Sequence, residues 1–286
     1  MGGQPNYDVL ATGQDEMPRF SGGSCGYARM DVTDPERVRD VFVNFAPDVV
    51  INCAAMTQVD QCETERERCW RINSDAVDTL ARQCLATGAR LVQVSTDFIF
   101  DGEAGPYKEK ARPNPLSYYG RSKLAGENHA RGAGMDRWSI VRTVLVYGNA
   151  EGLSRSNIVL WLLDKLGRGE TVNMVSDQFR TPTYAPDLAA GIERIVRFGK
   201  FGVYHVSGRE YMSVYEMAVQ TAEVFGFDPE LVQPTDSSTF IQPATRPMKS
   251  GFIVLKAESE LGYRPRSFRE GLIHLGEVLG MKTIAS

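Results

Sequence analysis

The chain has 286 residues and a formal net charge of −4 at pH 7, with 42% hydrophobic and 24% charged residues. These fractions are ordinary for a globular protein, and the charge gives no reason to expect a nucleic-acid or anionic-membrane partner. No apolar run approaches the roughly 18 residues of a membrane span. The first residues form neither a basic nor an apolar leader, so we expect a cytoplasmic protein. The five cysteines contain no C-x-x-C pair, which predicts reduced thiols and no metal site.

Strands and helices alternate through the first half of the chain. Apolar runs predict strands at 7–13, 48–55, 91–94 and 139–143. Asp34 and Pro35 predict a helix start, because they suit the N-cap and first-turn positions, and further helices are predicted up to Thr87 and around Tyr119. Several strands are apolar throughout, which predicts an α/β fold with a parallel sheet covered on both faces.

From about Gly148 the alternation of strands and helices is less regular. Helices are predicted at 158–166, from 186 and at 213–225, and strands at 171–175 and 202–206. The segment 228–249 is rich in Pro, Ser, Thr and Asp, and we expect it to cover a site from outside.

The strongest candidates for catalytic residues are a tyrosine and a lysine. Tyr119 and Lys123 are four residues apart, so on a helix both side chains leave the same face. An ammonium beside a phenol favours the phenolate and lowers the phenol pKa, which suits proton exchange with a carbonyl or alcohol oxygen. The strand that ends at Ser95-Thr96-Asp97 brings hydroxyls and a carboxylate to a sheet edge, where open α/β sheets bind ligands. Taken alone, the spacing would also fit a tyrosine and a lysine that lie on the protein surface and have no catalytic role.

Several segments together carry a resemblance to a known family. They are Pro47 to Asp60, Asn73, Val94 to Gly102, Tyr119 to Lys123, Arg142 to Gly148, Asp177 to Thr183 and Arg246-Pro247. With them the sequence resembles the extended short-chain dehydrogenase/reductases that act on nucleotide sugars, and most closely the dTDP-4-dehydrorhamnose reductase family. The resemblance runs from about Tyr7 to Gly280.

The resemblance implies a Rossmann-type doubly wound parallel sheet with a smaller C-terminal substrate-binding region. Residues 1–147 would form the NAD(P)-binding domain, and 148–286 mainly the substrate-binding region, with helices and strands returning to the main domain. The implied activity is reduction of a 4-keto-6-deoxy nucleotide sugar with NADPH or NADH, and a homodimer is expected.

The resemblance also assigns roles to residues. Tyr119 would protonate the sugar carbonyl oxygen, and Thr96 would hydrogen-bond this reacting oxygen. Lys123 would lower the Tyr119 pKa and hold the nicotinamide ribose. The cofactor would be bound by Asp31, Val32, Ala54, Ala55, Thr57, Asn73, Ser95, Tyr119, Lys123 and Thr143. The substrate would be bound by Thr96, Asp97, Phe98, Val144, Asn157 and Arg180. Close packing alone would also explain Ala54-Ala55, and Arg180 taken alone could equally be a solvated side chain.

One departure from the family concerns the diphosphate of the cofactor. The family begins with a strand, a G-x-x-G-x-x-G turn and a helix whose N-terminus holds this group. Thr12-Gly13-Gln14 only mimics that turn, and the spacing from Tyr7 to Asp31 fits the second strand of the family. We therefore expect the first βα unit, with the central strand of the sheet, to be lacking.

Two other functions stay open at this point. Dehydratases of this superfamily have a Glu after Thr-Asp, and here Phe98 takes that position, which argues against dehydration but less against epimerisation. A non-catalytic relative, such as the regulatory subunit of methionine adenosyltransferase, is the second alternative. The intact Thr96, Tyr119 and Lys123 favour an enzyme, and the absent glycine turn favours a binding protein.

Overall fold

The computed structural model describes residues 7–19, 25–150, 157–240 and 242–284. Its strands are β1 Leu10–Gly13, β2 Gly26–Arg29, β3 Val49–Asn52, β4 Arg90–Thr96, β5 Trp138–Thr143, β6 Val146–Tyr147, β7 Val172–Val175, β8 Phe179–Arg180, β9 Thr183–Tyr184, β10 Gly202–His205, β11 Met212–Ser213 and β12 Val232–Thr235. Its α-helices are α1 Pro35–Phe45, α2 Val59–Thr64, α3 Arg66–Trp70, α4 Ala76–Thr87, α5 Tyr118–Gly132, α6 Ile158–Gly167, α7 Ala185–Arg197, α8 Val214–Phe225, α9 Leu255–Leu261 and α10 Phe268–Leu279.

The main sheet is parallel and has the strand order β10-β5-β4-β3. β4 lies in its middle and is buried along nearly its whole length. β10 comes from the C-terminal half of the chain and pairs with β5. The expected α/β class with a parallel sheet is confirmed.

The sheet is interrupted between β1 and β3. β1 pairs in parallel with β2 only, and β3 pairs with β4 only, so each has one edge without a ladder among the described residues. The residues of both strands are mostly half-buried.

Helix α1 shows why the two groups of strands stay together. The carboxylate of Asp34 accepts from the backbone N–H groups of Glu36 and Arg37, which starts the helix. The buried side chains of Val38 and Phe42 then pack in one core cluster with Leu80 of α4 and Leu91 of β4. Burial of apolar side chains of this size stabilises the fold by about 1.5–3 kcal/mol each. The β2–α1 unit is therefore fixed to the main sheet through side chains, without a continuous ladder.

The helical region predicted up to Thr87 is divided into three helices. A π-helical turn, Arg71–Asp75, lies between α3 and α4. Such single π turns are frequent at functional sites, and this one carries Asn73.

The C-terminal half forms a smaller layered region. Helices α6, α8 and α10 share a core cluster that includes Leu163, Met217 and Leu272, and β7 pairs with β12 beside it. No helix in the described ranges is long and apolar enough to cross a membrane.

Candidate active site at the edge of the main sheet

Helix α5 presents the tyrosine and the lysine to the sheet edge. The Ser117 hydroxyl accepts from the backbone N–H of Gly120 at 3.1 Å and starts the helix. A Cβ at Gly120 would lie 2.1 Å from the backbone oxygen of Phe98, so the helix approaches the end of β4 closely only because this residue is glycine. Tyr119 and Lys123 follow on the buried face.

Lys123 reaches β4 across this contact. Its Nζ donates to the backbone oxygen of Val94 at 2.8 Å and, among the described residues, to no other acceptor. The hydroxyl of Thr96 lies near enough to that of Tyr119 to lower the Tyr119 pKa, and the ring of Phe98 meets that of Tyr119 edge-on at 5.6 Å between centroids. The structure thus brings together the three residues predicted to be catalytic.

Burial controls the ionisation of both groups. It raises the pKa of Tyr119, against the nearby hydroxyl of Thr96, which lowers it. It also lowers the pKa of Lys123 to about 8, against the attraction of Glu127. The sequence predicts that Lys123 lowers the pKa of Tyr119; in the structure desolvation of the phenol raises the pKa instead, and Lys123 is not among the groups that act on it. Tyr119 is therefore a protonated phenol at neutral pH.

Asp97 and Arg180 form a buried pair behind Thr96. Arg180 Nε lies 3.8 Å from Asp97 Oδ2, Ser250 donates to the same oxygen, and Thr96 Oγ1 donates to Asp97 Oδ1 at 3.1 Å. Burial raises the pKa of Asp97, and the Arg180 charge and these hydrogen bonds oppose the rise. The pair is placed to fix Thr96.

The remaining bonds of Arg180 stay within the chain. Nη1 donates to the backbone oxygens of Phe179 and Met248, and Nη2 to Gln178 Oε1. Its predicted role as a diphosphate ligand stays a prediction, and it requires some of these bonds to be exchanged.

The predicted cofactor residues near β3 divide into two groups. Ala54 and Ala55 are half-buried and Thr57 is exposed, so the turn after β3 borders the site. Asn73 is buried and holds this turn: its Oδ1 accepts from the backbone N–H of Met56 at 2.8 Å, and its Nδ2 donates to the backbone oxygen of Met56 and to Ser122 Oγ. The amide of Asn73 thus connects the turn to helix α5.

The other predicted residues lie at different depths. Ser95 and Thr143 are buried at the ends of β4 and β5, and Thr143 Oγ1 donates to Thr183 Oγ1 at 3.0 Å. Val144 is fully buried in a core cluster with Ile99 and Phe252, so its side chain is not on the surface of the site.

Asn157 and the pair Asp31-Val32 lie at two helix starts. Asn157 caps α6 and donates from Nδ2 to the backbone oxygen of Gly148 at 2.6 Å. Asp31 and Val32 follow β2, where Val32 packs on the core and Asp31 faces a cleft. All three stay predictions for ligand binding.

A clasp between Asp60 and Arg246 ties the C-terminal segment to the start of α2, and sequence analysis did not find it. Arg246 donates from Nη1 and Nη2 to the carboxylate of Asp60 at 3.1 and 2.7 Å, and the backbone N–H of Ala244 donates to the same group. The two motifs that carry these residues are more than 180 positions apart, and the only available signal was that both belong to the resemblance.

The donor set fits a nicotinamide dinucleotide at its nicotinamide end. The buried ammonium of Lys123 has N–H groups left for ribose hydroxyls, and Tyr119 and Thr96 stand beside it. The sequence contains no G-x-x-G-x-x-G turn of the kind that holds the cofactor's diphosphate in the family. In the described part of the chain no group of three His, Cys, Asp or Glu side chains is placed to hold a metal ion.

The parallel sheet, with Tyr119 and Lys123 on a helix against a strand that ends in Ser95-Thr96, defines a short-chain dehydrogenase/reductase. Comparison with known families gives a narrower assignment. Residues 4–279 match the family described as RmlD substrate binding domain, and the chain belongs to that family.

Named relatives agree with this assignment. The chain is 36% identical over 252 residues to the dTDP-4-dehydrorhamnose reductase of Mycolicibacterium smegmatis, covering 86% of this chain and 74% of that protein. It is 34% identical to methionine adenosyltransferase 2 subunit beta of Xenopus tropicalis, over 87% of this chain and 77% of that one.

Solved structures show the same fold. A dTDP-4-dehydrorhamnose reductase from Clostridium acetobutylicum superposes with a TM-score of 0.85 at 31% identity, over 96% of this chain and 100% of the other. A dTDP-4-dehydrorhamnose reductase from Bacillus anthracis in complex with NADP gives 0.84 at 27% identity, over 95% and 100%. The predicted resemblance and the Rossmann-type fold are confirmed.

Proposed function

We propose that the chain is an NADPH-dependent reductase of a 4-keto-6-deoxy nucleotide sugar. The observation that carries the proposal is the meeting of Thr96, Tyr119 and Lys123 at the carboxyl end of β4. The relatives named as dTDP-4-dehydrorhamnose reductases, one of them in complex with NADP, support the substrate class and the cofactor.

The chain supplies the proton chemistry of such a reduction, and NADPH supplies the hydride when bound. Tyr119 is a protonated phenol because burial raises its pKa, so it is suited to give its proton to a carbonyl oxygen. The Lys123 ammonium, four residues further on the same helix face, is the cation proposed to stabilise the phenolate left behind. Thr96 donates its one hydroxyl proton to Asp97 Oδ1, so the Asp97–Arg180 pair holds it in place, and it would have to turn from Asp97 to donate to the reacting oxygen.

The test is an assay of NADPH absorbance with the thymidine-diphospho and uridine-diphospho 4-keto-6-deoxy sugars. We expect consumption of NADPH in proportion to the sugar reduced. Conversion of the sugar without net loss of NADPH would instead identify an epimerase. Binding of the sugar or cofactor without any turnover would contradict the proposal.

A non-catalytic binding role is the second candidate, because the sequence contains no G-x-x-G-x-x-G turn to hold a diphosphate. The relative named as a methionine adenosyltransferase subunit supports it. In that case the chain would alter the activity of a partner enzyme and show no reductase activity. The homodimer and the cytoplasmic location stay predictions, and light scattering of the purified chain checks the first.

A further inference from the structure

The start of helix α5 is held by a carboxylate that comes from another element. Glu63 of α2 accepts through Oε1 from the backbone N–H of Tyr118 at 2.6 Å, although it lies 55 positions earlier in the chain. Tyr118 is the first residue of α5, and Tyr119 follows it directly. The first N–H groups of a helix have no partner within the helix, so they need acceptors from elsewhere. Glu63 is therefore a cap supplied from a distance.

The local cap of α5 serves a different N–H group. The hydroxyl of Ser117 accepts from the backbone N–H of Gly120 at 3.1 Å, two residues beyond Tyr118. Ser117 and Glu63 thus fix the first turn of α5 at two separate points. The partial positive charge at the start of a helix also favours a carboxylate in this place.

The bond from Tyr118 to Glu63 is sheltered from water. The side chain of Glu63 is only 17% exposed. Its other oxygen accepts from Arg66 Nη2 at 3.0 Å, and the Arg66 side chain is 62% exposed, so this ion pair is the weaker tie. A hydrogen bond to a carboxylate is stronger than one between neutral groups. The sheltered bond is thus the one that fixes the first residue of α5.

Helix α2, which presents Glu63, is itself fixed on two sides. Asp60, in its first turn, accepts from Arg246 of the C-terminal segment at 3.1 and 2.7 Å. Cys62 is fully buried and packs in one core cluster with Tyr119 and Met56. Glu63 therefore offers its oxygen to α5 from a defined position.

The first turn of α5 lies between this carboxylate and the end of β4. A Cβ at Gly120 would come within 2.1 Å of the backbone oxygen of Phe98, so helix and strand end touch there without spare room. The ring of Tyr119 meets that of Phe98 edge-on on the same side. Loss of the acceptor on α2 would let the first turn shift or fray. A misplacement of about 1 Å can cost a reaction about 10²-fold in rate.

We propose that Glu63 is a positioning residue for the reduction: by accepting from the N–H of Tyr118, it holds the Tyr119 hydroxyl where a substrate carbonyl would receive its proton. The inference rests on the proposed function for the role of Tyr119. The anchoring of α5 by Glu63 is also measured without turnover, through the exchange of its amide hydrogens.

The experiment compares Glu63→Ala and Glu63→Gln with the unchanged chain in the reductase assay. We expect Glu63→Ala to lower kcat about tenfold or more, because the proposed acid is less well placed. The KM of the sugar and the Kd of NADPH should change little, since no proposed ligand group is removed. Glu63→Gln keeps an acceptor oxygen and is expected to retain most of the turnover. In Glu63→Ala the amides of residues 118–121 should exchange about tenfold faster.

Glu270→Ala is the matched control. Glu270 accepts from the backbone N–H of Ser267 at 2.7 Å at the start of α10, so the variant removes a carboxylate from a helix start in the C-terminal region. It is expected to lower stability and to leave kcat unchanged.

Three results would each overturn the proposal: unchanged kcat in Glu63→Ala, an equal loss of kcat in Glu63→Gln, or unchanged amide exchange at the start of α5 in Glu63→Ala. Faster exchange in Glu63→Ala, in a protein that reduces no sugar even when unchanged, would uphold the anchoring of α5 by Glu63 and contradict the proposed function.

Discussion

Two ionisable groups at the site are both shifted toward their neutral forms. Burial raises the pKa of Tyr119 and lowers the pKa of Lys123 to about 8. A neutral phenol is useful to a reductase, which must give a proton. A buried ammonium, in contrast, costs folding free energy, and the chain retains it beside the phenol.

We expect Tyr119→Phe to lower turnover about 10²-fold or more, because it removes the proposed acid and keeps the ring packed against Phe98. The dissociation constant of NADPH, measured by fluorescence titration, is expected to stay nearly the same. Trp138→Phe, on β5, is a control that changes an aromatic ring away from this contact. Full reductase activity in Tyr119→Phe would show that another group gives the proton.

The pKa of Lys123 leads to a pH-dependent stability. It falls from 10.5 to about 8 in the folded chain, so between these values the unfolded chain binds more protons at this group. The contribution of Lys123 to the free energy of unfolding therefore rises with pH from about 8 to about 10.5. Lys123→Met is expected to stabilise the chain at pH 7 by about 3 kcal/mol, and by progressively less toward pH 10.5.

Chemical denaturation of both variants from pH 7 to 10.5 measures this difference. A gap between wild type and Lys123→Met that stays constant over that range would contradict the lowered pKa. Lys123→Met should also weaken cofactor binding, since the ammonium is the proposed partner of the ribose.

Local motifs were enough to predict that the candidate catalytic residues would meet, but their long-range partners could not be predicted. Tyr119 and Lys123 are one helical turn apart, so their convergence follows from helix geometry alone. The pairing of Asp97 with Arg180 depends instead on how distant segments pack. Val144 was predicted to contact substrate and lies in the core, because a residue after a strand can face either side.

At the scale of the elements, a buried ion pair joins α5 to β5. Arg142 donates from Nε and Nη2 to the two carboxylate oxygens of Glu127 at 2.8 and 2.7 Å, and both side chains are buried. Burial raises the pKa of Glu127, but the bonds and charge of Arg142 outweigh it and lower the pKa. The pair therefore holds the helix that carries Tyr119 against the main sheet.

Removing one partner of this pair should cost more than removing both. Arg142→Met leaves a buried carboxylate without its main partner, and we expect a loss of about 3–5 kcal/mol in the free energy of unfolding. The double variant Glu127→Gln, Arg142→Met should recover part of that loss. Urea denaturation of the two single variants and the double variant measures the coupling, and strictly additive losses would contradict it.

Longer elements were predicted better than short ones. β4 was predicted from an apolar run of several residues, and α5 from the four-residue spacing of Tyr119 and Lys123. The two-residue strands β6, β8, β9 and β11 are too short for any periodic pattern, and they form through contacts between distant segments. The π-helical turn was missed because nothing in its composition separates it from an α-helix.

For the molecule as a whole, the interrupted sheet predicts uneven protection of the backbone. β4 has ladders on both sides, whereas β1 and β3 have one each among the described residues. Amide hydrogens on β4 should exchange most slowly, and those of β1 about tenfold faster or more, because an edge opens without breaking the core. Hydrogen exchange followed by mass spectrometry checks this order. Equal protection of β1 and β4 would mean that another strand covers the open edge in solution.

The clasp between Asp60 and Arg246 also has a consequence for the timing of assembly during synthesis. A ribosome makes Tyr119 and Lys123 long before it makes Arg246, and domains form as their segments emerge. The nascent chain can therefore build α5 and β4 while the segment that Arg246 ties to Asp60 is still absent. A translation product released before Arg246 would carry Tyr119 and Lys123 without this contact to the start of α2. Completion of the chain is thus the event that fastens the C-terminal segment to the first half of the molecule.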